Sequence, residues 1–535
     1  MARVSSHRRG RPRIAPCLLA LCTLALAACA DEHTLLGPTA QSPSSLESIA
    51  SLKGDRVVSV DVTPASVSIA VGDTTTLSAI PRDAKGNPLT NRPVTWAISD
   101  TTIARVSPGG VVTARGTGTA TITATSDDRN GTAALTVTAL KAPPPGTCSV
   151  VTGWSARPLT PMARPGYLQP VVEPDFGTTI VRVTGDPGTP IANVGGTWGV
   201  LSGHGYAKDP VWNADQSLIL LKVVEGLNAW LFLDGSTYQP VFKRGNVPGA
   251  DDRWHPTLPD VMAFVDFDGS VGYWNVRTQS VTPKFTPPAG AYSGASMGRG
   301  EGNVSHDGQW VAVQATRNSD GRQVAYAVDI EAGTKGPDVD LAAFGVSDAD
   351  WVSISAGGGY LVTHGVIDGV GQRVRAWTRE GVATAYWPTH PMGHFDLGID
   401  PAGREVAFGG DAGMINPTQY VALDLASGAV KPLSGGTSWD WHASTRNTKR
   451  PGWGVAVTND RTAFALSGEI YAIRLDGSQM VERYGRHHTN NTDYDAAAFA
   501  SPSPDGKRIM FRSNWGSKSG RPVGAYVIDI RPICP

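Results

Sequence analysis

Ser501-Pro502-Ser503-Pro504-Asp505-Gly506 is followed at once by Arg508-Ile509-Met510-Phe511-Arg512. Prolines and an Asp-Gly pair set a tight polar turn. The branched and aromatic residues after it read as a strand. The same unit recurs upstream. Ser305-His306-Asp307-Gly308 precedes residues 310–315, and Asp400-Pro401-Ala402-Gly403 precedes 405–408. Weaker copies are Asn213–Gln216 before 218–222, Thr257–Asp260 before 261–265, Ser355–Gly358 before 360–363, and Val457–Asp460 before 462–465. Anchored on Gln216, Asp260, Gly308, Gly358, Gly403, Asp460 and Gly506, the steps are 44, 48, 50, 45, 57 and 46 residues. Several units add another apolar run, such as 325–330, 420–425, 469–475 and 525–530. Multi-strand units repeating every 40–50 residues or so are propeller spacing. Seven anchors predict a seven-bladed β-propeller over residues 148–535.

Composition agrees. The chain has 535 residues, 41% hydrophobic and 17% charged, which excludes a disordered chain and suggests more than one domain. Sixty-two Gly, 39 Pro and 15 Trp against 8 Met lean to all-β structure. A formal net charge of −1 carries no basic footprint, so nucleic acid is not an expected partner.

Upstream, residues 55–139 alternate apolar and polar residues in seven short runs with turn clusters between them, which predicts a β-sandwich. Val62-Thr63-Pro64, Val71-Gly72-Asp73, Val94-Thr95-Trp96 and Gly110-Val111-Val112-Thr113-Ala114 resemble the bacterial Ig-like group 2 domain. The resemblance implies an Ig-like fold with Trp96 in its core and a spacer or adhesion role. Residues 140–147 hold Pro143-Pro144-Pro145-Gly146, an extended linker. Residues 29–54 are polar, with Gly37-Pro38 and Ser42-Pro43, and read as a flexible tether.

Residues 1–28 carry five arginines, no acid and a short apolar run, the pattern of a signal peptide. Leu26-Ala27-Ala28-Cys29 resembles a bacterial lipobox, which implies cleavage before Cys29 and lipidation of its sulfur. Loss of the arginines shifts the formal net charge from −1 to −6. The expected partner is a membrane, reached through the lipid. The expected location is extracytoplasmic, at the outer membrane or cell surface. Cys148 and Cys534 are the cysteines that remain, one at each end of the large domain. A closed ring brings such ends together, so a Cys148–Cys534 disulfide is expected.

In such a repeat the strand before each polar turn is innermost, so residues entering it line one channel mouth. Six of the nine histidines in 148–535 fall in those windows. The candidates are Arg253 and His255; Trp351; His394; His442 and Arg446; and Tyr494. Converging His, Arg, Trp and Tyr suit a polar ligand. No phosphate loop, His-Glu-x-x-His helix, Cys-x-x-Cys or Gly-x-Ser-x-Gly elbow is present.

The Ser-Pro-Asp-Gly unit resembles TolB-type propeller repeats. Residues 148–535 also resemble, distantly, the propeller polysaccharide lyases of the oligogalacturonate lyase type. That second resemblance implies β-elimination on a uronic-acid polymer. His394 and His442 would act as base or acid, Arg446 would clamp the carboxylate, and Arg253, His255, Trp351 and Tyr494 would hold the sugars. The family also holds a divalent metal with histidines and a Gln just ahead of a Ser-Pro-Asp-Gly turn. Here that stretch is Asp493-Tyr494-Asp495-Ala496-Ala497-Ala498-Phe499-Ala500, with no His or Gln. The sequence therefore assigns no metal ligand. The first reading is a surface propeller that binds a ligand, a glycan, at one channel mouth. The alternative is the lyase.

Overall fold

The computed structural model describes residues 56–70, 74–101, 103–114, 118–138, 149–369, 371–388, 392–411, 419–434, 440–458, 466–490, 493–531 and 534. The signal, tether, linker, Cys29 and Cys148 lie outside them. The described elements are strands and two single-turn 3-10 helices. No helix among them is long and apolar enough to cross a membrane.

The described residues of 59–138 form nine strands, not the seven expected, because the run at 75–79 is divided between two sheets, as Thr74–Thr76 and Ser78–Arg82, and Ala104–Val106 adds a short strand of its own. Ser59–Thr63 pairs with Ser78–Arg82, and the order of the four-stranded sheet is Ser66–Ala70, Arg129–Thr138, Gly118–Ser126, Thr95–Ile98. Period-2 patterning does the work. Along Arg129–Thr138, Gly131, Ala133, Leu135 and Val137 face inward and their neighbours face water. Val60, Leu77, Val112, Ile122 and Leu135 form the core, with Trp96 half-buried against it.

Among the described residues from 151 onward, seven sheets of three to five strands form, one per blade, and Ser202–Gly203 makes a further short pair with Val223–Val224. The second blade shows the plan: Asp251–Trp254, Val261–Val265, Val271–Asn275 and Val281–Phe285 pair in sequence order, all antiparallel. Blades follow centred on residues 218–244, 251–285, 292–340, 346–387, 396–432 and 440–486. The seventh is shared by both parts of the domain. Ser501–Pro502, Arg508–Ser513 and Gly524–Asp529 are its inner strands, and Thr179–Arg182 and Pro170–Val172 complete it outside.

Packing closes the ring. Blade strands are buried on both faces, so they are continuously apolar rather than alternating. Leu218 and Leu220 join Trp254 and Met262 of the next blade, while Ile219 and Leu221 join Met510 and Val527 of the seventh. Five further clusters fill the remaining blade pairs in turn, ending with Val455, Ile470, Ile509 and Ile528 between the sixth and seventh. Each blade thus touches two neighbours, and the seventh touches the first.

One anchor needs correction. Trp453–Thr458 pairs with Asp440–Ser444 on one side and Glu469–Arg474 on the other, so it is the second strand of the sixth blade. The polar turn before it ends at Gly452, not at Asp460. The turn region Asn447–Gly452, closed by the Arg450 amide on the Asn447 carbonyl as Gly506 closes on Ser503, is the real counterpart of the Ser-Pro-Asp-Gly unit. The expected Cys148–Cys534 pairing involves a residue outside the described set and stays a proposal.

The closing hairpin contains a buried acid. Glu173 accepts hydrogen bonds at Oε2 from the Asp175 and Phe176 amides, 2.8 Å each, and its Oε1 is buried without a partner. Burial raises its pKa from the ordinary 4.5 to about 7. The folded protein thus holds this proton more tightly than the unfolded chain. Its stabilising contribution is full below about pH 4.5 and is lost as pH rises through about 7. Glu173→Gln is expected to flatten that part of the stability–pH curve in thermal melts. An unchanged slope would refute the assignment.

Candidate functional site

Contacts between blades that are not neighbours can form only across the ring axis. Tyr206, on the segment entering the first blade, makes two of them, to the fifth and sixth blades, and a further contact to the neighbouring seventh. Its hydroxyl lies 2.5 Å from Nδ1 of His394, which enters the fifth blade. Its ring meets His442 of the sixth at 5.0 Å between centroids, edge to face, and Phe499 of the seventh at 5.1 Å. His394 and His442 are 4.6 Å apart, and His442 packs on Phe499 at 4.5 Å. Tyr206, His394 and Phe499 precede the innermost strand of their blades and His442 lies within the strand Asp440–Ser444, and their mutual contacts gather them at one mouth of the channel.

The third and fourth blades add to the same mouth. Lys208 Nζ sits 2.6 Å from Glu301 Oε2 and 3.9 Å over the Trp351 ring. Trp351 is buried and packs on Phe395 at 4.7 Å. Asp350 Oδ2 lies 3.1 Å from His364 Nδ1. Asn303 Nδ2 donates to the Lys208 carbonyl at 3.1 Å, which tethers the first blade's entry to the third.

Access divides these residues. His442 is 1% exposed and forms the floor. His394 and Tyr494 are exposed and Tyr206 half-buried, so these three present the reachable surface. Tyr494 stacks edge-on to Phe499 at 5.4 Å. His394 and Phe499 both have positive φ, 36° and 43°. That conformation costs a non-glycine residue roughly 1–2 kcal/mol. The fold accepts the cost twice within one contact cluster, as sites of function commonly do.

The electrostatics keep the pair neutral. Desolvation lowers the pKa of His394, opposed by Glu301 and reinforced by Lys208 and His364. His442 is lowered well below its ordinary value, first by burial and then by His394 and Lys208. A neutral His394 can accept at Nδ1 the hydrogen bond that the Tyr206 hydroxyl donates. Burial also raises the Tyr494 pKa. Asp209 is pushed up by burial, but Arg253 and Lys222 hold it down at about 2, so it is an anion.

The expected residues divide into those the fold gathers and those it uses elsewhere. His394, His442, Trp351 and Tyr494 meet at the mouth. Arg446 does not act there. Its Nε and Nη2 donate to the two oxygens of Asp396 at 2.9 and 3.0 Å, and Nη2 also reaches the Leu397 carbonyl. It joins the fifth blade to the sixth. Arg253 donates to the Asp252 and Gly300 carbonyls, at 2.7 and 2.5 Å, and lies 3.3 Å from Asp209. His255 sits at the turn end of the channel, with His306, Arg446 and Pro504 around a narrow cavity. Its Nδ1 accepts from the Thr257 and Leu258 amides at 3.2 and 3.1 Å, and burial lowers its pKa to about 4. A Cβ on Gly308 would come within 2.3 Å of this imidazole, at φ +81°, so glycine is required opposite it.

Sequence reasoning passed over Tyr206 and Lys208. The signal was present. With Gly452 as the sixth anchor, Tyr206, His394 and His442 stand 10, 9 and 10 residues ahead of Gln216, Gly403 and Gly452. The misplaced anchor at Asp460 hid that equivalence.

Among the described residues no group of three His, Cys, Asp or Glu is placed to hold a metal ion. In the stretch where the lyase family places ligands, Asp493 and Asp495 are both bound to Arg521, at 3.0 and 2.7 Å. The residues present do not fit a divalent metal there.

Residues 56–137 match the family model of the bacterial Ig-like domain (group 2). No curated protein matches the chain. Among solved structures, an oligogalacturonate lyase from Vibrio parahaemolyticus aligns at 11% identity and TM-score 0.48, over 68% of this chain and 96% of that one. TolB from Acinetobacter baumannii aligns at 11% identity and TM-score 0.30, over 56% and 75%. Domains 4 and 5 of the S-layer protein SbsC align at 26% identity and TM-score 0.15, over 16% and 53%. The chain thus carries a bacterial Ig-like group 2 domain at residues 56–137, and its strand pairing adds a seven-bladed β-propeller.

Proposed function

We propose that the propeller binds a glycan at the mouth built by Tyr206, His394 and Tyr494 over the His442 floor. In this reading a lipid on Cys29 holds the protein at the cell surface, the Ig-like domain is the spacer, and a Cys148–Cys534 disulfide fastens the ring. The carrying observation is the Tyr206 contact set: one tyrosine touching His394, His442 and Phe499 from three other blades. Aromatic rings with polar tips suit sugars, whose faces are apolar and whose rims carry hydroxyls.

The test is calorimetric titration of the signal-less protein with a panel of neutral and acidic glycans. Tyr206→Ala and His394→Ala are each expected to weaken binding at least tenfold, or about 1.4 kcal/mol. Unchanged affinity in both would sink this reading.

The Tyr206–His394 hydrogen bond gives the lyase reading one supporting observation. A neutral tyrosine–histidine pair can take the C5 proton of a uronate as the C4–oxygen bond breaks, a C4–C5 double bond forms and the leaving oxygen is protonated. That chemistry needs a cation for the carboxylate, and Arg446 and Arg253 are committed to Asp396 and Asp209. Appearance of unsaturated uronate absorbance, lost in Tyr206→Phe, would favour the lyase over binding alone.

A further inference from the structure

Beside Tyr494 a groove of about 720 Å³ runs over the seventh, first and second blades, on the same face as the mouth. Ligand sites are usually about 300–1,000 Å³. Trp230 forms one wall, half-buried, with its edge region against Trp274 at 6.3 Å. Asn228 and Glu225 are exposed on the loop just before it. Asp495 lines the groove and directly follows Tyr494 of the mouth in the chain, so groove and mouth adjoin.

The charges of the groove are balanced and committed. Its lining holds Lys222, Arg244 and Arg521 against Glu225, Asp252 and Asp495. Lys222 lies 3.2 Å from Asp252 and 3.5 Å from Asp209. Arg521 is bound by Asp493 and Asp495 and lies 3.7 Å from Glu225. Arg244 donates to the carbonyls of Val276, Lys243 and Arg277, at 2.8, 3.1 and 3.1 Å. A polyanion would have to break the ion pairs of Lys222 and Arg521 and displace the backbone carbonyls from Arg244 to gain a counter-charge. An uncharged chain would not. It would lay a ring against the indole of Trp230, beside the Lys222 ammonium that lies 5.1 Å from the ring centre, and turn its hydroxyls to Asn228 and Glu225.

We propose that this groove is an extended subsite for an uncharged polysaccharide chain, entered from the Tyr206–Tyr494 mouth. The proposal rests on the glycan-binding reading and narrows its ligand class. Its length follows from the adjoining geometry: a ligand filling the mouth alone would leave the groove empty, whereas a chain spans both.

The experiment is calorimetric titration with cello-, xylo- and manno-oligosaccharides of increasing length, alongside oligogalacturonates, at low and high salt. For at least one neutral series, affinity is expected to rise with chain length and to ignore salt, since no counter-charge is screened. Trp230→Leu is expected to remove the rise, a loss of about tenfold for the longest member, with the shortest member unaffected. Trp230 also packs on the core, so Asn228→Ala serves as the second variant. Asn228 is exposed, and its change is expected to lower long-chain affinity without altering the melting temperature. Tighter, salt-sensitive binding of oligogalacturonates would overturn the proposal, as would length dependence intact in both variants. Neutral glycans bound and lost only in Tyr206→Ala would overturn the groove and leave the mouth reading standing. No binding of any glycan would overturn both.

Discussion

Glu469→Ala is expected to cost the propeller roughly 3–5 kcal/mol of stability. Glu469 and Arg483, on the third and fourth strands of the sixth blade, are each about 1% exposed. Arg483 donates from Nε and Nη2 to the two carboxylate oxygens at 2.7 and 2.6 Å, and from Nη1 to the Ser155 carbonyl at 2.7 Å. Arg486 lies 3.5 Å from the same carboxylate. Removing Glu469 therefore leaves two guanidinium groups deprived of a shared anion, one of them deep in the blade. An unpaired buried charge is far more costly than the pair is favourable. Replacing both partners, as Glu469→Leu with Arg483→Met, is expected to recover a large part of the loss. Urea unfolding of the two variants beside the parent measures this. A single-variant loss under about 1 kcal/mol would show that water reaches the pair.

A chain lacking residues 149–182 is expected not to complete the propeller at all. In the intact protein Thr179–Arg182 pairs along Gly524–Asp529, with Ile180 opposite Ile528 and Val181 opposite Val527. Ile180 also packs between the sixth and seventh blades, and Val181 between the seventh and first. Deletion removes side chains from both clusters and bares an apolar edge, Ala525-Tyr526-Val527-Ile528. Such an edge pairs with other chains. Size-exclusion chromatography should show aggregate rather than monomer, with loss of the near-ultraviolet tryptophan signal. A soluble monomer with a parent-like spectrum would contradict the closure argument.

Both effects rest on long-range pairing, and so does what was hard to see in the sequence. Six of the seven polar turns were legible, because Asp-Gly and Pro fix local backbone and the strand follows within two residues. The sixth, Asn447–Gly452, was hidden by an equally plausible Asn459-Asp460 a few residues on. Only the pairing of Trp453–Thr458 with its two neighbours decides between them. The Ig-like domain was readable for the same local reason: alternation along Arg129–Thr138 maps directly onto inside and outside.

The candidate site was only partly readable. Of the histidines ahead of the turns, His394 and His442 come together at one mouth, whereas His255 sits at the turn end of the channel and His487 and His488 lie beside Trp515. The partners of the arginines were not readable. Arg446 and Arg253 look free in the sequence, and their acids come from elsewhere: Asp396 is 50 residues before Arg446, and Asp209 belongs to the preceding blade.

By itself, then, the sequence determined most of the strands, six of the seven turns, the count of repeats and the two kinds of domain. These depend on side-chain period and on turn chemistry, which act over a few residues. Only the tertiary structure decided that Tyr206 meets His394, 188 residues away, and that the arginines are neutralised. The reason is that ring closure sets which residues cross the axis, and a charge is free or committed according to neighbours that other blades supply.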